Sequence, residues 1–134
     1  MKDRILALGV ILSIGMVVSC HKNSSCVESA KLSSIIVGEW KLKEQMGWPY
    51  SQDEFENIEG DANLVLSFFE DGSLNFDSNG NNTPGTYSVN DTLSTISIVT
   101  NVAFDWPIIS YSSCEFIVQL DSDEGVTKHK YQSN

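Results

Sequence analysis

The chain has 134 residues, a sequence pI of about 4.4 and a formal net charge of −10. That length holds one small domain. The excess of acid repels phosphate backbones and anionic lipid heads, which excludes nucleic acid as a partner.

Lys2 and Arg4 open the chain on positive charge, Ile5 to Val18 is an apolar stretch, and Val17-Val18-Ser19-Cys20 closes it. A charged start, a short apolar run and a small residue before the cleavage point predict a secretory signal over 1–19, too short and wrongly flanked for a membrane span. The closing cysteine resembles a bacterial lipobox, which implies that Cys20 becomes the lipid-modified first residue of the mature protein. An ordinary signal followed by a chance cysteine is the alternative. Cleavage there leaves 115 residues with six lysines, no arginine and 17 acids, a formal charge of −11. Bidentate arginine forks for phosphate or carboxylate are therefore lacking. Solubility of an exported domain accounts for the acidity.

Residues 20–34 are polar and serine-rich, suited to a lipidated tether, with a short helix around Val27 to Leu32. The folded domain is expected over 35–134. With Cys20 acylated, Cys26 and Cys114 form a single pair in a compartment that permits disulfides. They are either bridged or two free thiols, because sequence does not say whether their Cα atoms lie within reach.

From Ile35 the hydrophobic period is mostly two, the mark of half-buried strands. Trp40 and Leu42 alternate with Glu39, Lys41 and Lys43, and Leu64, Leu66 and Phe68 share one face of the next strong run. Asp71-Gly72 supplies a hairpin turn into Leu74 and Phe76, and Asn79-Gly80-Asn81-Asn82 is a second turn cluster. Tyr87 and Val89 lie in a strand opened by Gly85, Asn90-Asp91 turns the chain into Leu93 to Thr100, and Cys114 to Leu120 alternates again. Asp121 to Gly125 is a turn, and Val126 to Tyr131 makes the last strand.

Two stretches break this pattern. Pro49 to Asp61 carries five acids (Asp53, Glu54, Glu56, Glu59, Asp61), with Phe55 and Ile58 between them, and reads as a short acidic helix or a lid-like loop. Asn101 to Ser113 contains Trp106-Pro107, and a proline there bars a central strand, so an edge strand or apolar loop is expected. The sum is an all-β fold, a small antiparallel up-and-down β-barrel of seven or eight strands whose closure removes exposed edges.

Ile36-Val37-Gly38-Glu39-Trp40-Lys41-Leu42 resembles the opening of lipocalin-like domains, which begin with Gly-x-Trp on the first strand. Phe69-Glu70-Asp71-Gly72-Ser73-Leu74, Pro84-Gly85-Thr86-Tyr87-Ser88-Val89 and Asp91-Thr92-Leu93 are similar to small lipocalin-like lipoproteins of Bacteroidetes-type bacteria. The resemblance covers roughly Ile35 to Tyr131. It implies a bacterial outer-membrane lipoprotein, and the absence of an acidic cluster in His-Lys-Asn-Ser-Ser after Cys20 points to the periplasmic face. Two departures stand out. Lipocalins set a late-strand arginine against the tryptophan, whereas here Lys128, His129 or Lys130 are the nearby candidates; the domain is also shorter than a typical lipocalin. Independently of any family, an inward Trp40 plugs the base of a small barrel, and Gly38 permits a bend or a close backbone approach there.

Catalytic motifs are missing. His129, between Lys128 and Lys130, reads as a packed or solvent-facing strand residue, and His21 as solvated beside the anchor. No Gly-x-Ser-x-Gly elbow, His-Glu-x-x-His helix or glycine-rich phosphate loop occurs. Asp121-x-Asp123-Glu124-Gly125 groups oxygen ligands, but its glycine falls one place early for an EF-hand and no glutamate follows at the required distance. A turn with solvated acids is the better account, and no metal or cofactor is expected. Asp91-Thr92-Leu93 reads first as a turn followed by a strand start; it also resembles the acceptor for O-glycosylation in Bacteroidetes-type exported proteins, which makes modification of Thr92 the alternative.

Apolar groups in the irregular stretches carry the functional expectation. Trp48, Tyr50, Phe104, Trp106, Ile108 and Tyr111 are the candidate lining of a barrel mouth that receives a small hydrophobic ligand or a peptide. Otherwise these loops fold over the barrel and complete its core. The expected function is a lipid-anchored, non-catalytic envelope protein, binding the membrane through Cys20 and a small hydrophobic ligand at the mouth. The rival is a protein-interaction or inhibitor module that docks another envelope protein through its acidic face and loop aromatics.

Overall fold

The computed structural model describes residues 26–28, 30–60 and 63–134. The expected signal at 1–19 and the lipidated Cys20 lie outside them. A short helix, α1 (Leu32–Ile35), precedes nine strands: β1 (Gly38–Met46), β2 (Glu56–Asn57), β3 (Leu64–Phe68), β4 (Ser73–Ser78), β5 (Asn81–Asn90), β6 (Thr95–Val99), β7 (Ala103–Tyr111), β8 (Glu115–Ser122) and β9 (Gly125–Ser133). Each strand from β3 onward pairs antiparallel with its neighbour in sequence, and β9 returns to β1 from Trp40↔Ser133 to Met46↔Lys128. The two-residue β2 shares one edge of β1 with β3, so the ring has eight staves, the second of them broken. The molecule is a closed, lipocalin-like, up-and-down barrel.

Period-two patterning puts Leu66, Phe68, Leu74, Ile96, Ile98, Phe116, Val118 and Tyr131 inside, all buried. Asn79 and Gly80, at φ 52° and 84°, turn β4 directly into β5; Asn81 and Asn82, expected in that turn, already belong to the strand. At Gly85, an added Cβ would lie 2.6 Å from the Val99 carbonyl oxygen, so only glycine lets β5 and the end of β6 approach this closely.

Trp40 plugs the base. It is 2% exposed, meets Phe116 edge-on at 4.9 Å, and donates its indole N–H to the Ile36 carbonyl at 2.8 Å. Gly38 before it has φ +138°, and a Cβ placed there would meet nothing within 4 Å, so it serves a bend and not a close approach. Among the described residues no cation stacks on the indole. Lys128 and Lys130 sit on β9 opposite Met46 and Glu44, and the hydrophobic Phe116 ring lies against the indole instead.

Two expectations need correction. The domain begins before residue 35: Leu32 and Ile36 have no exposed surface, the Asp91 carboxylate accepts from the Ser33 amide and hydroxyl, and Cys26 is joined to Cys114. Residues 26–28 and 30–36 are thus a strap across the barrel base, with the helix at Leu32–Ile35 and not at Val27 to Leu32. Within residues 101–113, Ala103–Tyr111 is neither a loop nor an edge strand: β7 pairs along its first half with β6 and from Ile108 with β8. The Ile108 N–H bonds the Ser94 carbonyl on the β6 side, so the preceding nitrogen, that of Pro107, faces β8 just where registered pairing has not begun. Of the two forms expected for the acidic stretch, its described residues take the loop, which runs into β2, and Ile58 drops from it into the core at 1% exposure.

Candidate functional site

Hairpin alternation sorts the turns to two ends. The strap, the turns at 69–72, 91–94 and 112–114, and the C-terminus lie at the base; residues 47–55, 79–80, 100–102 and 123–124 rim the mouth. At the mouth the chain folds back on itself, the Gly47 amide bonding the Ser51 carbonyl at 2.7 Å and the Tyr50 amide the Gly47 carbonyl at 2.8 Å. Tyr50 packs onto the core, while Trp48 at the tip is 63% exposed.

Behind that rim the barrel is filled by rings. Phe76 and Phe104 each lie 5.9 Å from Trp106, Trp106 stacks on Tyr131 at 5.7 Å, Tyr131 on Phe116 at 4.9 Å, and Phe116 reaches Trp40. This column runs from mouth to base. His129 faces inward in the same file as Tyr131, opposite Gln45, and burial holds its imidazole below the ordinary histidine value. Burial likewise pushes the Tyr131 hydroxyl well above 10. Both side chains are therefore neutral at pH 7, which keeps the column free of charge.

The six expected lining residues do not converge. Trp48 and Tyr50 stand at the rim with Phe104 just below, Trp106 is 7% exposed inside the column, and Ile108 is 5% exposed further down. Tyr111, seven residues along β7 from Phe104, is roughly 23 Å away at the base. There Ile108 and Tyr111 border a separate polar groove of about 460 Å³ with Glu28, Ser94 and Glu115. A single ligand-binding ring of these six is ruled out by the length of one strand.

The outer wall beside the mouth holds what sequence reasoning missed. Lys41 and Lys43 on β1, and Lys128 and Lys130 on β9, come together because β9 closes on β1. The acidic stretch lies over three of them. Glu59 bonds Lys43 and sits 3.8 Å from Lys41, and the Phe55 ring lies 4.3 Å from the Lys130 ammonium, which also pairs with Glu44 at 2.7 Å. The hydrogen bond from Lys43 holds the Glu59 carboxyl below its ordinary value. Lys128 is half-buried and has no carboxylate partner among the described residues. It lines a groove of about 350 Å³ with Met46, Gln52, Gln119 and Val126. The repeat of two alternating lysine pairs, Lys41/Lys43 and Lys128/Lys130, was the signal available in the sequence.

At the base, Cys26 and Cys114 are disulfide-bonded with their Cα atoms 5.3 Å apart, beside an open groove of about 940 Å³ lined by Glu28, Ser112, Glu115, Gln132, Ser133 and Asn134. Thr92 is exposed in the 91–94 turn, where its amide bonds Asn90. Among the described residues no three His, Cys, Asp or Glu side chains converge as a metal site requires, and Asp61 of the acidic stretch lies outside them. No protein-family model matches this chain, and no curated protein matches it.

Proposed function

We propose that this is a non-catalytic, lipocalin-like lipoprotein of the bacterial envelope, held by an acylated Cys20 at the periplasmic face of the outer membrane, and that its barrel serves as a protein-docking module. The observation that carries the docking reading is the ring column from Phe76 to Trp40, which fills the space a carrier would keep hollow. The exposed Trp48 on a structured turn then stands as the anchor for a partner, since tryptophan dominates the energetics of such contacts. A small hydrophobic ligand at the mouth is the second reading, favoured by half-buried Tyr50 and Phe104 at the same end. Modification of Thr92 is compatible with either, because its turn is exposed.

The test is native mass spectrometry of the protein extracted from its own membranes, paired with a photo-crosslinking amino acid at position 48 or at Ser88 on the opposite wall. The docking reading expects the mass of the acylated chain without a retained small molecule, and a protein crosslink from position 48 alone. A stoichiometric small ligand, lost in Phe104→Ala, would replace docking with carriage. An unacylated mature mass would remove the anchor.

A further inference from the structure

The cations of the folded barrel are concentrated. Of the five lysines in the described residues, Lys31 lies in the strap and the other four occupy one outer ribbon, β1 with β9. Three are answered by the chain itself, by the carboxylates of Glu59 and Glu44 and by the Phe55 ring. Lys128 is next in that row, two residues and about 7 Å from Lys130. It receives nothing from any described carboxylate, in a mature chain with 17 acids and six lysines. Its long stem lies between Met46 and Gln119, the residues registered across from it on β1 and β8, with exposed Val126 beside them. Gly47 abuts this corner so closely that an added Cβ would lie 2.6 Å from the Val126 carbonyl oxygen, so the Trp48 turn springs directly from the groove wall.

We propose that this groove, from Lys128 to Trp48, takes an acidic segment of the partner protein: a carboxylate for Lys128, with an aromatic or aliphatic neighbour for Trp48, Met46 and Val126. The inference rests on the docking reading and names the chemistry of the partner. The acidic stretch of the chain is the template, because Phe55 and Glu59 show the same ribbon already satisfied by an aromatic ring and a carboxylate. The partner's segment extends that pattern by one lysine, at the place where the chain's own stretch brings the Gln52 amide and no carboxylate. Recognition is local, since the net charge of the domain repels an acidic partner at long range; raising salt from low to moderate strength therefore speeds the encounter before it weakens the contact.

The experiment uses the full acylated chain in neutral detergent micelles and reads acrylamide quenching of tryptophan, which reports on Trp48 because Trp40 and Trp106 are buried. The probe is an acetylated, amidated tripeptide of glutamate, phenylalanine and glutamate; its glutamine analogue and phosphatidylglycerol vesicles are the comparisons. Saturable protection of Trp48 by the acidic tripeptide, weakened at least tenfold by Lys128→Gln and kept by Lys128→Arg, is the expected result. Equal protection by the glutamine analogue, or no loss in Lys128→Gln, overturns the proposal. So does Lys128-dependent protection by the vesicles alone, which would give the groove to lipid. In membranes, the crosslink from position 48 should disappear in Lys128→Gln and should map to an acidic peptide. A crosslink that persists there refutes the acidic-segment assignment and leaves docking standing, whereas the lack of any protein crosslink in the parent chain removes both.

Discussion

Replacing both Cys26 and Cys114 with serine should remove a large share of the stability of this domain. The bridge joins residues 88 apart, so it closes a loop that holds the first seven of the nine strands. In the chain-entropy model a loop of that size is worth about 4.6 kcal/mol at 25 °C, against a total of roughly 5–15 kcal/mol for a typical domain. Its structural role compounds the effect, because the bridge pins the strap that buries Leu32 and Ile36 over the barrel base. Guanidinium unfolding of parent and double variant, followed by tryptophan fluorescence without reductant, measures the difference. The midpoint should fall and the m-value should rise, since the unfolded chain expands once the link is gone. The melting temperature should drop by about 15–20 °C at roughly 4 °C per kcal/mol for a domain of this size. A loss under about 1 kcal/mol with unchanged m would refute the reasoning, showing that the denatured chain is compact without the bridge.

Trp40→Ala should destabilise by about 3–5 kcal/mol, because it empties the barrel base and strands the Ile36 carbonyl, whereas Trp48→Ala should stay within about 0.5 kcal/mol. Chemical unfolding of the two variants side by side checks this, and equal costs would show that the indole at 48 is buried. Burial holds the His129 pKa below its ordinary 6.5 in the folded protein, so the unfolded chain takes up the proton first as pH falls. Its contribution is present above 6.5 and is lost as pH drops through 6.5 toward the lower folded value. His129→Gln should flatten that part of the stability–pH curve, measured from pH 7.5 down to where carboxylates begin to titrate.

Strands were legible wherever one face is wet. Leu64, Leu66 and Phe68, or Phe116, Val118 and Leu120, alternate because the barrel wall has an inside and an outside. Turns carried by Asp71-Gly72 and Asn79-Gly80 were legible for the same local reason, a backbone requirement that few residues meet. The strap was not, because Leu32 is a single apolar residue among Lys31, Ser33 and Ser34, too little to show a period, and only the barrel base gives it something to cover. Pro107 misled because a missing N–H forbids a central strand only if that nitrogen faces a paired neighbour, and which neighbour it faces depends on register. The mouth residues misled in a related way. Phe104 and Tyr111 look adjacent on the chain, yet a strand carries them to opposite ends.

By itself, then, the order of side chains determined the all-β class, most strand positions and the inward Trp40. Closure decided the rest. Bringing β9 against β1 joined lysines 87 positions apart (Lys41 and Lys128) into one ribbon, stacked rings from five strands into a solid column, and set Cys26 against Cys114. Alternation and turn chemistry are encoded by neighbours in the chain, whereas a surface or an interior is shared by residues that only the folded barrel makes neighbours.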